Sequence, residues 1–198
     1  MSQPQRISIS RRRPADLTQA EERLRRQVDQ LFARSLHIRH VDAGSCNACE
    51  SEVKLLTSPY YDIHRLGLFF TPSPRHADLL LVTGAITQAM VGPLRRTYDA
   101  MPDPRLVVAV GACASGGGVF GACAYTTGKL SDILPVDAYI PGCPPTPLAL
   151  IEGMLLAIVR LSERASRGWT AAPRDALATQ PRAGGEGAPS GAPQEEAR

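Results

Sequence analysis

No segment of the chain comes near the ~18–20 consecutive apolar residues that a bilayer crossing requires, so membrane association is expected only through partners. The first residues, MSQPQRISISRRRPADL, are polar and lack the apolar core of a secretory signal. Charge of one sign is scarce too: a formal net charge of +3 is too small by itself to imply a nucleic-acid binder. The one basic run, residues 1–35, sets eight arginines against four acids. No aromatic residues interleave the arginines at 6–26, as a stacking platform for bases would require. No G-x-x-x-x-G-K-[ST] phosphate loop occurs, which speaks against nucleotide binding of that kind. Cysteine is sparse and odd in number: five residues do not make a fully paired disulfide framework. Without a secretory signal, clustered cysteines are more often metal ligands or redox groups.

Three regions stand out. Residues 1–35 form a basic, polar arm containing a predicted helix from Leu17 to Phe32, with Leu24, Val28, Leu31 and Phe32 at helical spacing. Residues 165–198 are rich in Ala, Gly, Pro and charge, and are expected to be a disordered tail because they cannot bury enough apolar surface to offset ordering entropy. Between them, residues 36–164 read as one α/β domain. Apolar runs at His37–Val41, Leu66–Phe70, Leu79–Val82, Leu106–Val110 and Val136–Ile140 are predicted strands. Helical patterns at about 47–57, 87–101 and 146–163 alternate with them. Near-continuous apolar strands interleaved with helices predict an open parallel sheet covered on both faces.

This alternation turns scattered cysteines into a candidate site. Cys46 and Cys49 follow the first strand, Cys113 follows the 106–110 strand and Cys143 follows the 136–140 strand. The carboxyl ends of strands are where open α/β sheets bind ligands. Four thiolates suit either an iron–sulfur cluster or zinc, and unligated thiols are the third alternative. Structural zinc commonly uses two short-spaced pairs. Here one pair, Cys-Asn-Ala-Cys, is joined by two isolated cysteines in glycine- and proline-rich turns, which favours the wider cluster. Cys123 is expected to pack as a small hydrophobe.

Four motifs occur in order: Asp42-Ala43-Gly44-Ser45-Cys46-Asn47-Ala48-Cys49-Glu50, Ser73-Pro74-Arg75-His76-Ala77-Asp78, Gly111-Ala112-Cys113-Ala114-Ser115-Gly116-Gly117-Gly118 and Pro135 through Pro145 with Gly142-Cys143-Pro144. Together, over about residues 36–162, the chain resembles the family of the B (PSST-type, 20 kDa) subunit of respiratory complex I and the small subunits of group 4 membrane-associated nickel–iron hydrogenases. The resemblance implies a flavodoxin-like fold and one 4Fe–4S cluster on Cys46, Cys49, Cys113 and Cys143. It implies a redox subunit without substrate chemistry of its own. The expected partners are a hydrogenase-type large subunit (complex I 49 kDa-like), a ferredoxin-like iron–sulfur subunit and, indirectly, integral membrane subunits. The expected location is cytoplasmic, peripheral on the inner membrane. Complex I members have adjacent cysteines in the first motif, whereas the C-x-x-C after Asp-Ala-Gly-Ser resembles the hydrogenase branch, including formate hydrogenlyase. The quinone-reducing branch and a zinc-stabilised interaction module are the competing readings.

Glu50 and Glu52 are expected in the first turn of a helix, where the dipole favours acids, and Glu52 is the stronger candidate for proton handling or partner contact. Arg75 is expected near the same sheet edge, where a cation would raise a cluster's potential. His37, His40, His64 and His76 lack metal-ligand spacing and are read as structural or exposed.

Overall fold

The computed structural model describes residues 15–32 and 35–166. Arginines 6, 11, 12, 13 and 34, the side chains of Val28, Leu31 and Phe32, and the tail from residue 167 with Trp169 lie outside the described residues.

Strands β1 (Leu36–Asp42), β2 (Leu68–Phe70), β3 (Leu79–Thr83), β4 (Leu106–Val110) and β5 (Ala138–Ile140) form one five-stranded sheet in the order β2-β1-β3-β4-β5. Every pairing is parallel, with Ile38 opposite both Phe70 and Leu79, and Val110 opposite Ile140. Parallel neighbours need crossover connections, and helices supply most of them: α2 (Ala48–Leu55), α3 (Gln88–Ala100) and the short α4 (Gly111–Gly116). A helix α1 (Ala15–Phe32) precedes the sheet and α5 (Pro147–Ser166) follows it. This is the expected flavodoxin-like α/β architecture.

Strand alternation divides the core. Leu79 and Leu81 of β3 join Leu36, Ile38, Leu106 and Val108 in a layer closed by α1, α2 and α5 through Leu24, Val53, Leu56, Ile151 and Ile158. Leu80 and Val82 point the other way, into a layer with Val107 and Ala109 closed by Leu94 and Tyr98 of α3 and Ala114 of α4. β3 and β4 are buried at every position, which explains their unbroken apolar sequence. The helix of the basic arm docks on its own domain: Ala20 and Leu24 are core residues, and the buried Glu21 pairs with Arg65.

The amino-terminal edge of the sheet is tied by acids. Asp78 accepts the His37 amide hydrogen at 2.9 Å while its own N–H donates to the His37 carbonyl at 2.8 Å. Asp137 repeats the clamp on Val107, at 2.7 and 2.8 Å. Arg105, buried, stacks its guanidinium 4.0 Å from the Tyr98 ring and pairs with Asp103 at 3.2 Å.

Candidate metal centre

The carboxyl-terminal edge is built differently. After β1 the Asp42 carboxylate accepts hydrogen bonds from the Gly44 and Ser45 amides, both at 2.8 Å, and the Ser45 hydroxyl accepts from the Asn47 amide at 3.1 Å. Asn47 takes a left-handed conformation (φ 68°), which asparagine tolerates better than most residues, and opens α2. This pinned turn presents Cys46, which is exposed, and Cys49, half-buried. Cys113 lies in α4, directly beyond β4, and is half-buried; Cys143 follows β5 and is exposed. The 112 amide donates to the Gly142 carbonyl at 2.8 Å, joining the β4 and β5 loops.

Two glycines hold the thiols' space. A methyl group on Gly111 (φ +81°) would stand 2.7 Å from Cys49 Sγ, and one on Gly118 (φ +56°) would stand 2.8 Å from Cys113 Sγ. Any side chain at either position would strike sulfur and also require a strained backbone.

Electrostatics identifies which thiols share the site. Burial pushes the Cys49 thiol up to about 11, with Cys113, Cys46, Cys143 and then Glu50 adding to it. Cys113 is raised by burial, then by Cys143 and Cys46. Neighbouring negative charge opposes thiolate formation, so Cys49 lies in the field of Cys113, Cys46 and Cys143, and Cys113 in that of Cys143 and Cys46. A cationic centre would reverse that repulsion, and four thiols are the donor set that iron–sulfur clusters take. Among the described residues, no three His, Cys, Asp or Glu side chains are close enough to hold a single metal ion.

Cys123 stands apart, and the expectation that it packs as a small hydrophobe is corrected: it is exposed. The Thr126 hydroxyl, 3.1 Å from its sulfur, lowers its pKa first, and the Tyr125 and Thr126 amides lower it further. It lies on a loop beyond α4 that also exposes Val119, Phe120 and Tyr125. These exposed apolar side chains were missed by sequence reasoning; Val119-Phe120 directly after three glycines was the available signal.

The neighbouring polar residues sort unexpectedly. Glu50, not Glu52, is buried: it accepts from the Thr83 hydroxyl at 3.3 Å, and His40 Nε2 lies 2.9 Å from the same hydroxyl. With that hydroxyl donating to Glu50, His40 Nε2–H donates to Thr83. Burial pushes Asp42 up, but the amides of Gly44 and Ser45 and the side chains of Glu50 and Ser45 outweigh it and leave its pKa lowered. His40 is lowered chiefly by burial, against Glu50 and Asp42, with Arg39 and Lys54 adding to the lowering. Glu52 is half-buried and adds negative charge beside Tyr61. Arg75 corrects an expectation: it sits in the 3-10 turn Pro74–His76 that leads into the amino end of β3, opposite to the cysteine edge. In a parallel sheet a residue just before a strand lies at the amino-terminal edge, whichever loop carries it.

A flavodoxin-like sheet with four thiols gathered where β1, β4 and β5 end defines a cysteine-rimmed α/β class of chain. Residues 46–157 match the family described as NADH ubiquinone oxidoreductase, 20 Kd subunit, and the chain belongs to that family. It is 42% identical over 144 residues to the "Probable membrane-bound hydrogenase subunit mbhJ" of Pyrococcus furiosus, covering 71% of this chain and 86% of that protein. It is 45% identical over 131 residues to formate hydrogenlyase subunit 7 of Escherichia coli, covering 66% of this chain but only 51% of the relative. Among solved structures, a chain from the membrane-bound sulfane sulfur reductase, an archaeal respiratory membrane complex, superposes with a TM-score of 0.58 at 34% identity, covering 71% of this chain and 75% of that one. No helix among the described residues is long and apolar enough to cross a membrane.

Proposed function

We propose that this chain is an electron-transfer subunit that holds one 4Fe–4S cluster on Cys46, Cys49, Cys113 and Cys143, beside the active site of a hydrogenase-type large subunit. The observation that carries the reading is the delivery of four cysteines by three separate strand-end loops, with Gly111 and Gly118 leaving the space that two of the sulfurs use. When bound, the cluster supplies one-electron relay chemistry, and this chain contributes no substrate chemistry of its own. The chain's residues supply the rest. The Asp42 turn positions Cys46, the Ala112–Gly142 hydrogen bond fixes Cys113 relative to Cys143, and the buried Glu50 and Thr83 form with the half-buried His40 a polar chain beside Cys49.

The large subunit docks over the exposed thiols, with Val119, Phe120 and Tyr125 as apolar contacts flanking them. A ferredoxin-like subunit exchanges electrons with the relay, and membrane subunits hold the assembly on the cytoplasmic face of the inner membrane. Relatives named for a membrane-bound hydrogenase and a formate hydrogenlyase support this arrangement. A second reading keeps the relay and changes the partner's chemistry. It is favoured by the structural likeness to a chain of a sulfane sulfur reductase complex. Two C-x-x-C pairs in the partner large subunit select the nickel–iron reading, and their absence selects the second.

Anaerobic purification with iron, acid-labile sulfide and EPR analysis tests the site. About four irons per chain and a signal on dithionite reduction are expected. A colourless, EPR-silent protein containing zinc would sink the proposal.

A further inference from the structure

β3 lies between the strands that lead to Cys46 and to Cys113, yet brings no cysteine itself. Its last residue, Thr83, pairs in register with Asp42 of β1 and Val110 of β4. The turn that follows is pressed against the Cys46 turn: a methyl group on Gly84 (φ +82°) would stand 2.6 Å from the Ser45 nitrogen. What β3 contributes at this edge is the Thr83 hydroxyl, fully buried between Glu50 and His40.

Glu50 is the unusual member of this group. It follows Cys49 directly, is only 8% exposed, and forms no ion pair among the described residues. A buried carboxylate without a cation is costly. The dipole of α2 favours an acid in its first turn, but an acid in water would serve equally, so the dipole leaves the burial unexplained. Asp42, the other acid at this edge, directs Oδ1 to the Gly44 and Ser45 amides. The charge of Glu50 is felt at the Cys49 sulfur, where it opposes further negative charge.

We infer that Glu50 holds the potential of the redox centre low, and that Thr83, steered by His40, is the positioning residue that keeps its carboxylate beside Cys49. The inference rests on the cluster proposed above. Reduction adds one electron, and with it one negative charge, to the group that the four sulfurs hold. A buried carboxylate opposes that charge more strongly than one screened by water. His40 Nε2–H donates to the Thr83 oxygen, which turns the hydroxyl hydrogen toward Glu50.

EPR-monitored redox titration of the anaerobically purified full-length chain at one fixed pH tests the inference, with iron counted in every sample. Glu50→Gln is expected to favour reduction about tenfold, an upward shift of ~59 mV for one electron. Thr83→Val removes the hydroxyl at nearly constant shape and should move the midpoint the same way by a smaller amount; Thr83→Ser should restore the parent value. In the Glu50→Gln background Thr83→Val should add nothing, because its effect runs through the carboxylate. An additive shift there would overturn the positioning role. Glu52→Gln, at the half-buried acid of the same helix, should shift the midpoint less than half as far. An unchanged midpoint in Glu50→Gln with iron retained, or an equal shift from Glu52→Gln, would overturn the inference and leave the cluster reading intact. If Glu50→Gln does not fold, the contrast between Thr83→Val and Thr83→Ser decides. Loss of iron from Thr83→Val as well would make the hydroxyl a structural support and count against the inference. A parent chain that carries no iron sinks the cluster reading and this inference together.

Discussion

The two edges of one sheet follow opposite designs. At the amino-terminal edge, Asp78 and Asp137 each clamp the adjacent strand through paired hydrogen bonds, and Arg105 is held by a carboxylate, a carbonyl and an aromatic face. At the carboxyl-terminal edge, burial and then neighbouring cysteines raise the Cys49 and Cys113 thiols, and two glycines keep side chains away from sulfur. One edge satisfies its charges internally and stabilises the fold. The other is left electrostatically incomplete, which is the signature of a site that takes something in.

The comparison breaks first at the cysteines. Cys143→Ser should lose or convert the iron centre, while Cys123→Ser should retain iron near the parent level; equal losses on iron analysis would mean that the wrong four sulfurs had been chosen. Asp137→Ala should do the reverse. Leaving the Val107 amide without its acceptor is expected to cost about 1–3 kcal/mol in denaturant unfolding, with iron per folded chain unchanged. Gly111→Ala sits where both designs meet. Its positive φ costs about 1–2 kcal/mol for a residue with a Cβ, and the added methyl group displaces Cys49, so stability and iron content should fall together. The smallest effect is in pH. His40 is ordinarily near 6.5, and burial lowers it. The unfolded chain therefore takes up a proton that the folded chain resists. The histidine's contribution is complete above about 6.5 and is lost as pH falls through the lower folded value. His40→Gln should flatten that part of the stability–pH curve; an unchanged slope would remove His40 from the account.

Much of this could be read from the chain, for identifiable reasons. β3 and β4 were legible because strands buried on both faces carry no polar alternation, and α5 was legible from Leu148, Ile151, Leu155 and Ile158. Four strand-end cysteines were legible because a parallel sheet collects every strand's carboxyl end on one edge. What escaped notice was shorter or depended on closure. β2 is three residues long, and Leu66, expected within it, belongs to a 3-10 turn. α4 is six residues beginning and ending in glycine, a composition that reads as a turn. Arg75 was placed at the wrong edge although its position just before the predicted Leu79–Val82 strand already assigned it to the amino-terminal one. Glu50 and Glu52 look alike in sequence, and only the position of Thr83, on a strand from another part of the chain, distinguishes them.

The strand order carries a temporal consequence. Ligand candidates run from position 46 to position 143, and their convergence requires β1, β4 and β5 to be in register, with β5 arriving last from the ribosome. Distant parallel pairings form slowly because chain entropy is lost before any contact rewards it. A nascent chain that ends ahead of β5 thus lacks the last of the four candidate ligands, Cys143.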